Sequence, residues 1–241
     1  MPGTLFLIPN TLGETEALAS VLPEQVQQIT SQLDYFVAEN AKTARAFLKL
    51  VNARHPLARP LQEITISELN VNTPATALAG LLAPLLAGRD GGLVSEAGVP
   101  AVADPGADLV RLAHQHNIPV RPLVGPSSLL LAVMASGLNG QSFAFNGYLP
   151  TDAAQRAIRI KELELRSRKE KQTQLFIETP YRNAAMLEAL IAACAPGTLV
   201  CVATDLSLPS ETIRTMSASQ WKNAKAPDFH KKPTVFLLLG Q

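Results

Sequence analysis

The stretch Gly92–Gly106, GLVSEAGVPAVADPG, decides the fold assignment. It opens with Leu93–Ser95, a short continuous apolar run of the kind that predicts a buried strand. The residues that follow are mostly small or turn-forming, and they include two glycines and two prolines. Small residues and tight turns let main-chain N–H and C=O groups approach a ligand closely. The stretch therefore predicts a buried strand that leads into a ligand-contacting loop.

Comparable strands lie on both sides of this stretch. Short apolar strands are predicted at residues 4–8, 35–38, 93–95 and 120–124. Helical patterns lie between them, as at residues 41–51, where the apolar residues share one face. This alternation indicates a largely parallel sheet that is covered on both faces. Open sheets of this kind bind ligands at the carboxyl ends of their strands, and Gly/Pro-rich stretches follow Ile8, Ser95 and Val124.

The second half of the chain has a different order of elements. A charged amphipathic helix is predicted from Asp152 to Lys171, and another helix after Thr179 and Pro180. Strands are predicted at residues 142–145, 174–178, 199–204, 211–216 and 234–239. We therefore predict two α/β domains with a ligand-binding cleft between them. Residues 1–124 hold a mostly parallel sheet, and residues 125–241 hold a mixed sheet with helices.

Composition and charge exclude several function classes. The 241 residues are 47% hydrophobic, which is enough for packed domains. The net charge of +1 excludes attraction of the whole molecule to nucleic acid, although a local basic surface stays open. Two cysteines seven residues apart and four scattered histidines form no metal-ligand pattern, so no metal is expected. The longest apolar run is too short to cross a bilayer, and no leader pattern is present at the N-terminus. We therefore expect a cytoplasmic protein without membrane segments.

Several catalytic motifs are absent from the sequence. It contains no G-x-G-x-x-G after a strand, no phosphate-binding P-loop, no G-x-S-x-G and no H-E-x-x-H. Dehydrogenase, kinase and hydrolase functions therefore lack their usual support. Ser127 and Ser128 are expected to cap a helix or contact a ligand, because no histidine stands in a motif that could activate them.

Four stretches, in order along the chain, resemble one family. They are LVSEAGVPAVADPG (93–106), RPLVGPSSLLLAVMASGL (121–138), FAFNGYLP (143–150) and LFIETPYRNAAMLEAL (175–190). They are similar to the S-D-A-G-x-P-x-x-x-D-P-G loop, the P-G-P-S turn, the F-x-G-F-L-P connector and the E-S-P-H-R helix start of the tetrapyrrole methylase superfamily. Within it, the chain resembles the branch of ribosomal RNA small subunit 2'-O-ribose methyltransferase I.

The resemblance implies a homodimeric methyltransferase that uses S-adenosylmethionine and acts on ribosomal RNA or the small ribosomal subunit. It also implies that the cofactor lies in the cleft between the two domains and is held largely by main-chain groups. By matching position, the expected cofactor contacts are Pro9, Gly98, Val99, Val102, Ser127, Ser128, Glu178, Thr179, Ala203 and Thr204.

Three residues are candidates for catalysis, and one of them, Glu178, is also an expected cofactor contact. Glu39 and Glu178 stand at predicted strand ends, where a carboxylate could position or deprotonate an acceptor hydroxyl. A structural pairing of either acid with Arg182 or with a helix terminus is the alternative. Arg182, in the first turn of a helix, is a candidate for holding an anionic acceptor. Asp104 precedes a proline and is expected to cap the next helix.

The chain departs from the branch at ligand-facing positions. The T-P-I-G-N-L turn is here residues 9–14, and A-E-D-T-R is residues 38–42, which lack one acid and the arginine. Glu96 replaces an aspartate, and Tyr181 replaces the histidine of P-H-R. A tetrapyrrole or another small acceptor, or a cofactor-binding protein without catalysis, therefore remain alternatives. The bases of the helix after Asp152 are interleaved with glutamates, so a solvated face and a phosphate-binding face both stay open.

Overall fold

The computed structural model of the chain describes residues 1–13 and 18–241. Glu14, the last residue of the predicted first turn, lies outside the described residues. The chain divides into two compact units, Met1–Ser127 and Ser128–Gln241. The predicted domain boundary after residue 124 stays a prediction. In the described part of the chain, no helix is long and apolar enough to cross a membrane.

The first unit is built on one parallel sheet. Its strands are β1 (Leu5–Ile8), β2 (Tyr35–Ala38), β3 (Thr65–Glu68), β4 (Gly91–Val94) and β5 (Val120–Pro122). They lie in the order β3-β2-β4-β1-β5, and every pair of neighbours is parallel. The helices are α1 (Leu18–Val21), α2 (Glu24–Gln32), α3 (Ala41–Asn52), α4 (Leu78–Leu86) and α5 (Ala107–Gln115).

Helices cover both faces of this sheet, as the continuous apolar strands predict. Alternate strand residues point to opposite faces. Phe36 of β2 joins a cluster with residues of α1, α2 and α3, whereas Tyr35 and Val37 join a second cluster with residues of α4 and α5. Gly92 fits between the two neighbouring strands because a Cβ there would lie 2.5 Å from Ile8 Cδ1.

The strand order creates a switch point between β2 and β4. The chain leaves β2 toward β3 at one edge of the sheet, and it leaves β4 toward β5 at the other edge. Connections that diverge in this way leave a crevice outside the carboxyl ends of the two strands, which is the usual ligand position in open α/β sheets. The residues that follow β2 and β4 are therefore well placed for function.

The second unit is built on a mixed sheet. Its strands are β6 (Phe143–Tyr148), β7 (Thr173–Ile177), β8 (Leu199–Thr204), β9 (Thr212–Ser217) and β10 (Thr234–Leu239), in the order β6-β7-β10-β8-β9. Only β6 and β7 are parallel among these pairs of neighbours. The helices are α6 (Ser128–Ser136), α7 (Ala153–Glu170), α8 (Asn183–Ala193) and α9 (Ala218–Trp221). The predicted fold class, a parallel sheet followed by a mixed sheet with helices, is confirmed.

The predicted cap of α5 is wrong. The helix begins at Ala107, and its N-cap is Gly106, which has a φ of 138° and makes no side-chain cap bond. A residue with a side chain rarely adopts this φ, and a Cβ at Gly106 would lie 2.9 Å from Leu93 Cδ2. Asp104 therefore lies in the loop before the helix.

Candidate functional site

The loops that follow β1 and β4 are hydrogen-bonded to each other. The Asn10 N–H donates to the Gly98 carbonyl oxygen (2.8 Å), and the Gly98 N–H donates to the Thr11 carbonyl oxygen (3.3 Å). The Asn10 side chain is buried, and its Nδ2 donates to the carbonyl oxygens of Ser95 (3.2 Å) and Glu96 (3.1 Å). The two loops are thus held together by main-chain and amide groups.

Two glycines allow this close contact, and one of them brings in a third loop. Gly98 has a φ of 68°, and a Cβ there would lie 3.1 Å from Leu12 Cδ2. Gly125 follows β5, and a Cβ there would lie 2.2 Å from Pro9 Cβ. The structure therefore brings together three stretches that the sequence predicts at strand ends, those around Pro9, Gly98 and Gly125.

The loop after β4 also contains strained backbone. Ala101 and Ala103 have φ values of 64° and 65°, in the left-handed region that residues with a side chain seldom adopt. Between them, Val102 is 46% exposed, and Val99 is half-buried. Strain of this kind, held in place by surrounding structure, is characteristic of ligand sites.

Three carboxyl groups follow the switch-point strands. Glu39 comes after β2, and Glu96 and Asp104 come after β4. Burial raises the pKa of Glu39, and the negative charges of Asp104 and Glu96 raise it further. Burial also raises the pKa of Asp104, which the Ser95 side chain opposes and Glu96 reinforces. None of the three carboxyls forms an ion pair with the residues that the structure describes.

Asn40 caps the N-terminus of α3, as an aspartate at this position could. Its Oδ1 accepts from the N–H groups of Lys42 (2.8 Å) and Thr43 (3.4 Å), so it caps α3. Asparagine and aspartate cap helices about equally well. The Thr43 hydroxyl in the same turn donates to Glu96 Oε1 (3.4 Å), which links α3 to the loop that follows β4.

An open cavity of about 580 Å³ lies beside Asp104. Apolar side chains from the segment after β3 and from α4 form part of its wall, including Leu69, Val71 and Leu78. Its polar lining residues are Asn70, Thr73, Asp104 and Asp108. This volume falls in the range of small-molecule sites.

In the second unit, two of the residues predicted to act in catalysis are partners of each other. Arg182 Nη2 donates to Glu178 Oε2, and the Glu178 side chain is only 1% exposed. Glu178 Oε1 accepts from the Thr179 N–H (2.6 Å). The Nε of Arg182 is buried and has no partner within the described ranges. The paired arrangement is the one that we predicted as the alternative for Glu178.

Two other predicted positions of the second unit lie at a strand end. Ala203 and Thr204 close β8 and are buried, and Thr204 Oγ1 shares a hydrogen bond with Thr234 Oγ1 (3.2 Å). Ser128 is the first residue of α6, and Ser127, the last residue of the first unit, precedes it.

Two asparagines with structural roles were missed at the sequence level. Asn10 follows a strand and reads only as part of a turn, yet it bridges two loops. Asn183 Nδ2 donates to the carbonyl oxygens of Phe229 and Lys232 (both 2.9 Å) and to Thr234 Oγ1 (3.1 Å). The partners of each asparagine are distant in sequence, so no local pattern identifies them.

The arginines of the charged helix α7 are largely occupied by neighbours. Arg159 pairs with Glu162 (3.0 Å), and Arg166 pairs with Glu170 (3.1 Å). Arg156 is buried, and its Nη1 donates to the Thr151 carbonyl oxygen. These contacts favour the solvated-face interpretation of the helix over phosphate binding.

Comparisons with known proteins agree with the fold. The family described as Tetrapyrrole (Corrin/Porphyrin) Methylases matches residues 21–221. Relatives named "Ribosomal RNA small subunit methyltransferase I" include one from Xylella fastidiosa, 29% identical over 240 residues, which are 100% of this chain and 82% of the relative. One from Escherichia coli O157:H7 is 29% identical over 88% of this chain and 68% of its own length. One from Vibrio cholerae is 34% identical over 66% of this chain, and that alignment spans about half, 54%, of the relative.

Two solved structures share the fold at lower identity. The methyltransferase CobJ has a TM-score of 0.63 and 18% identity, over 99% of this chain and 94% of its own. The cobalt precorrin-4 methyltransferase CbiF, a cobalamin biosynthetic enzyme, has a TM-score of 0.60 and 15% identity, over 98% of this chain and 94% of its own.

Proposed function

Because the chain belongs to the tetrapyrrole (corrin/porphyrin) methylase family and is an S-adenosylmethionine-dependent methyltransferase, we propose that it methylates ribosomal RNA of the small subunit at a ribose 2'-hydroxyl. The names of the relatives from Xylella fastidiosa and Escherichia coli support this acceptor. We further propose that the protein works in the cytoplasm as a homodimer.

The observation that carries the cofactor assignment is the group of Glu39, Glu96 and Asp104, which form no ion pair with the described residues and follow the switch-point strands. Glu96 and Asp104 belong to the loop after β4 that is hydrogen-bonded to the loop after β1. S-Adenosylmethionine carries a sulfonium and an ammonium group, and opposite charge in a partly buried site favours a cationic ligand. When bound, it supplies a methyl group on a positively charged sulfur, which is a good leaving group. The proposed contacts in the first unit are Pro9, Gly98, Val99, Val102 and Ser127, and those in the second unit are Ser128, Glu178, Thr179, Ala203 and Thr204.

The protein's own contribution is alignment of the acceptor and removal of its proton. We propose that Glu39 removes the proton of the acceptor hydroxyl, because a carboxylate with a raised pKa is a stronger base than an ordinary carboxylate. Arg182 is proposed to help hold an anionic acceptor while it keeps the buried Glu178 charge paired. In-line transfer needs positioning of donor and acceptor above all, so rigid loops suit the task.

A second candidate function is methyl transfer to a tetrapyrrole or another small acceptor. The cavity of about 580 Å³ beside Asp104 favours it, because this volume would accept a small molecule without RNA.

The test uses cofactor with a radiolabelled methyl group and small ribosomal subunits from a strain that lacks this gene. We expect label in the ribosomal RNA, within one alkali-resistant dinucleotide, because a methylated 2'-oxygen cannot attack the adjacent phosphate. Glu39→Gln should slow transfer about 100-fold, whereas Glu63→Gln, at an exposed acid, should not. Label only in a small-molecule fraction would contradict the RNA acceptor and support the second candidate.

A further inference from the structure

An exposed aromatic side chain lies next to two basic residues in the second unit. Tyr181 is in the short 3-10 turn Pro180–Arg182 after β7, and it is 73% exposed. Its ring meets the ring of His230 edge-on, with 6.5 Å between centroids. Lys231 Nζ lies 5.8 Å from the centroid of the Tyr181 ring. We call these three residues the Tyr181 surface.

Hydrogen bonds fix the two segments that form the Tyr181 surface. The Lys231 N–H donates to the Pro180 carbonyl oxygen (3.3 Å), and Asn183 holds the carbonyls of Phe229 and Lys232 on either side. Phe229 is buried in the core of the unit. Lys231 has a φ of 60°, so its backbone turns sharply beside the tyrosine. The ring and its basic neighbours are therefore presented together before any ligand binds.

Lys231 differs from the neighbouring cations in having no acidic partner. Lys232 pairs with Asp205 (3.7 Å) and Asp228 (3.1 Å), and Arg182 pairs with Glu178. Within residues 1–13 and 18–241, Lys231 forms no ion pair, and its ammonium contacts the tyrosine ring instead. A cation without an acidic partner is available to an anionic ligand without the loss of an internal ion pair.

We propose that the Tyr181 surface binds an unpaired nucleotide of the RNA acceptor. The base would stack on the Tyr181 ring, and Lys231 and His230 would contact the adjoining phosphates. Single-stranded nucleic acid is generally held in this way, by aromatic side chains that stack on bases and by cations along the backbone. This inference rests on the proposed function, because it requires an RNA acceptor.

The experiment measures binding of a fluorescein-labelled 12-nucleotide oligouridylate by anisotropy over a salt series. Tyr181→Ala should weaken binding about tenfold, whereas Tyr181→Phe should stay within about twofold of the original protein because the stacking ring remains. Lys231→Gln should weaken binding and reduce the slope of log K against log salt by about 0.7, as expected for one lost phosphate contact on a single strand. Lys161→Gln is the matched control, because Lys161 is an exposed lysine of α7 that takes part in no cation–ring contact among the described residues.

Absence of oligouridylate binding, equal affinity in Tyr181→Ala and the unsubstituted protein, or an equal loss in Lys161→Gln would each overturn the proposal. Circular dichroism and thermal melting show that each variant is folded, which is expected because the substituted side chains are exposed. Methyl transfer to small subunits is measured in parallel. Tyr181-dependent binding without any methylated RNA would contradict the proposed function and leave the Tyr181 surface standing. Methylated RNA together with oligouridylate binding that does not depend on Tyr181 would support the proposed function and contradict the role of the Tyr181 surface.

Discussion

Among the described residues, the charges without an ion-pair partner at the strand ends have opposite signs in the two sheets. In the first unit, Glu39 follows β2, and Glu96 and Asp104 follow β4. Burial and the charges of Asp104 and Glu96 raise the pKa of Glu39, and burial and the charge of Glu96 raise the pKa of Asp104. In the second unit, β7 ends beside the start of β10. Nearby, Arg182 and Lys232 are paired with acids, and Lys231 has no acidic partner within the described residues. The same architectural position thus suits a cationic ligand in one sheet and a polyanion in the other.

A basic side chain that forms an ion pair with a neighbouring acid contributes to the structure, whereas one without an acidic partner is available to a ligand. The number of basic residues does not show which of the two applies. Helix α7 is rich in arginine and lysine, but Arg159 and Arg166 are satisfied by glutamates one turn away. Lys231 stands in a loop with fewer bases, yet it has no acidic partner in the described part of the chain. A count of basic residues along the sequence therefore does not distinguish paired cations from unpaired ones.

The largest expected effect sharpens the contrast between paired and unpaired cations. Arg182→Ala should lower the free energy of unfolding by about 3 kcal/mol, because it leaves the buried Glu178 charge without its partner. Lys231→Gln should change it by less than about 0.5 kcal/mol, as at other surface positions. Urea denaturation measures both. Equal changes in the free energy of unfolding of the two variants would contradict the distinction between paired and unpaired cations.

The next effect concerns the two loops of the first unit that follow β1 and β4 and are hydrogen-bonded to each other. Gly98→Val should cost about 1–2 kcal/mol of stability, because a β-branched residue at a φ of 68° is strained. It should also weaken S-adenosylmethionine binding, because the new side chain meets Leu12 and separates the loops. Gly137→Val is the control, since Gly137 has a φ of 69° but open space around its Cβ position. Calorimetry that finds the same loss of cofactor affinity in both variants would show that the loop contact is irrelevant.

A smaller effect is expected at the acidic strand ends. Since the pKa of Asp104 is raised in the folded protein, the folded state binds this proton more tightly than the unfolded state. The stability from this group is therefore present at low pH and is lost as pH rises through the folded pKa. Asp104→Asn should raise Tm at pH 7, and the gain should shrink as pH falls toward about 4. A Tm gain that is constant over this range, or a loss at pH 7, would refute the burial argument.

The smallest effect tests helix α7. Replacing Arg159 and Arg166 together by glutamine should leave oligouridylate affinity and its salt dependence within about twofold of the unsubstituted protein, because both side chains are occupied by glutamates. Stability should fall by about 0.5 kcal/mol per pair or less. A clear drop in the salt slope would instead place phosphate contacts on this helix.

The fold followed from the sequence because buried parallel strands leave a strong local pattern. β2 and β4 are short apolar runs, and turns follow them within a residue or two of the predicted position. β3 was missed because its sequence, TISE, has one apolar residue and forms an edge strand. The helices α1, α2 and α9 were also not predicted.

The site was less predictable because its organisation depends on contacts between distant residues. Asp104 before Pro105 reads as a helix cap, but the φ of Gly106 delays the helix. The side-chain Nδ2 groups of Asn10 and Asn183 donate to atoms 46 to 86 residues away along the chain. Whether Lys231 is unpaired depends on where Asp205 and Asp228 lie in space, which the sequence does not state.

The most direct test of the account is a pair of titrations on the same three proteins: the unsubstituted chain, the double variant Glu39→Gln with Asp104→Asn, and Lys231→Gln. Each is titrated with S-adenosylmethionine by calorimetry and with fluorescein-labelled oligouridylate by anisotropy. We predict that the acid variant loses affinity for the cofactor only, and that Lys231→Gln loses affinity for the oligonucleotide only. Equal losses for both ligands in either variant would contradict the division of ligands by charge between the two strand ends.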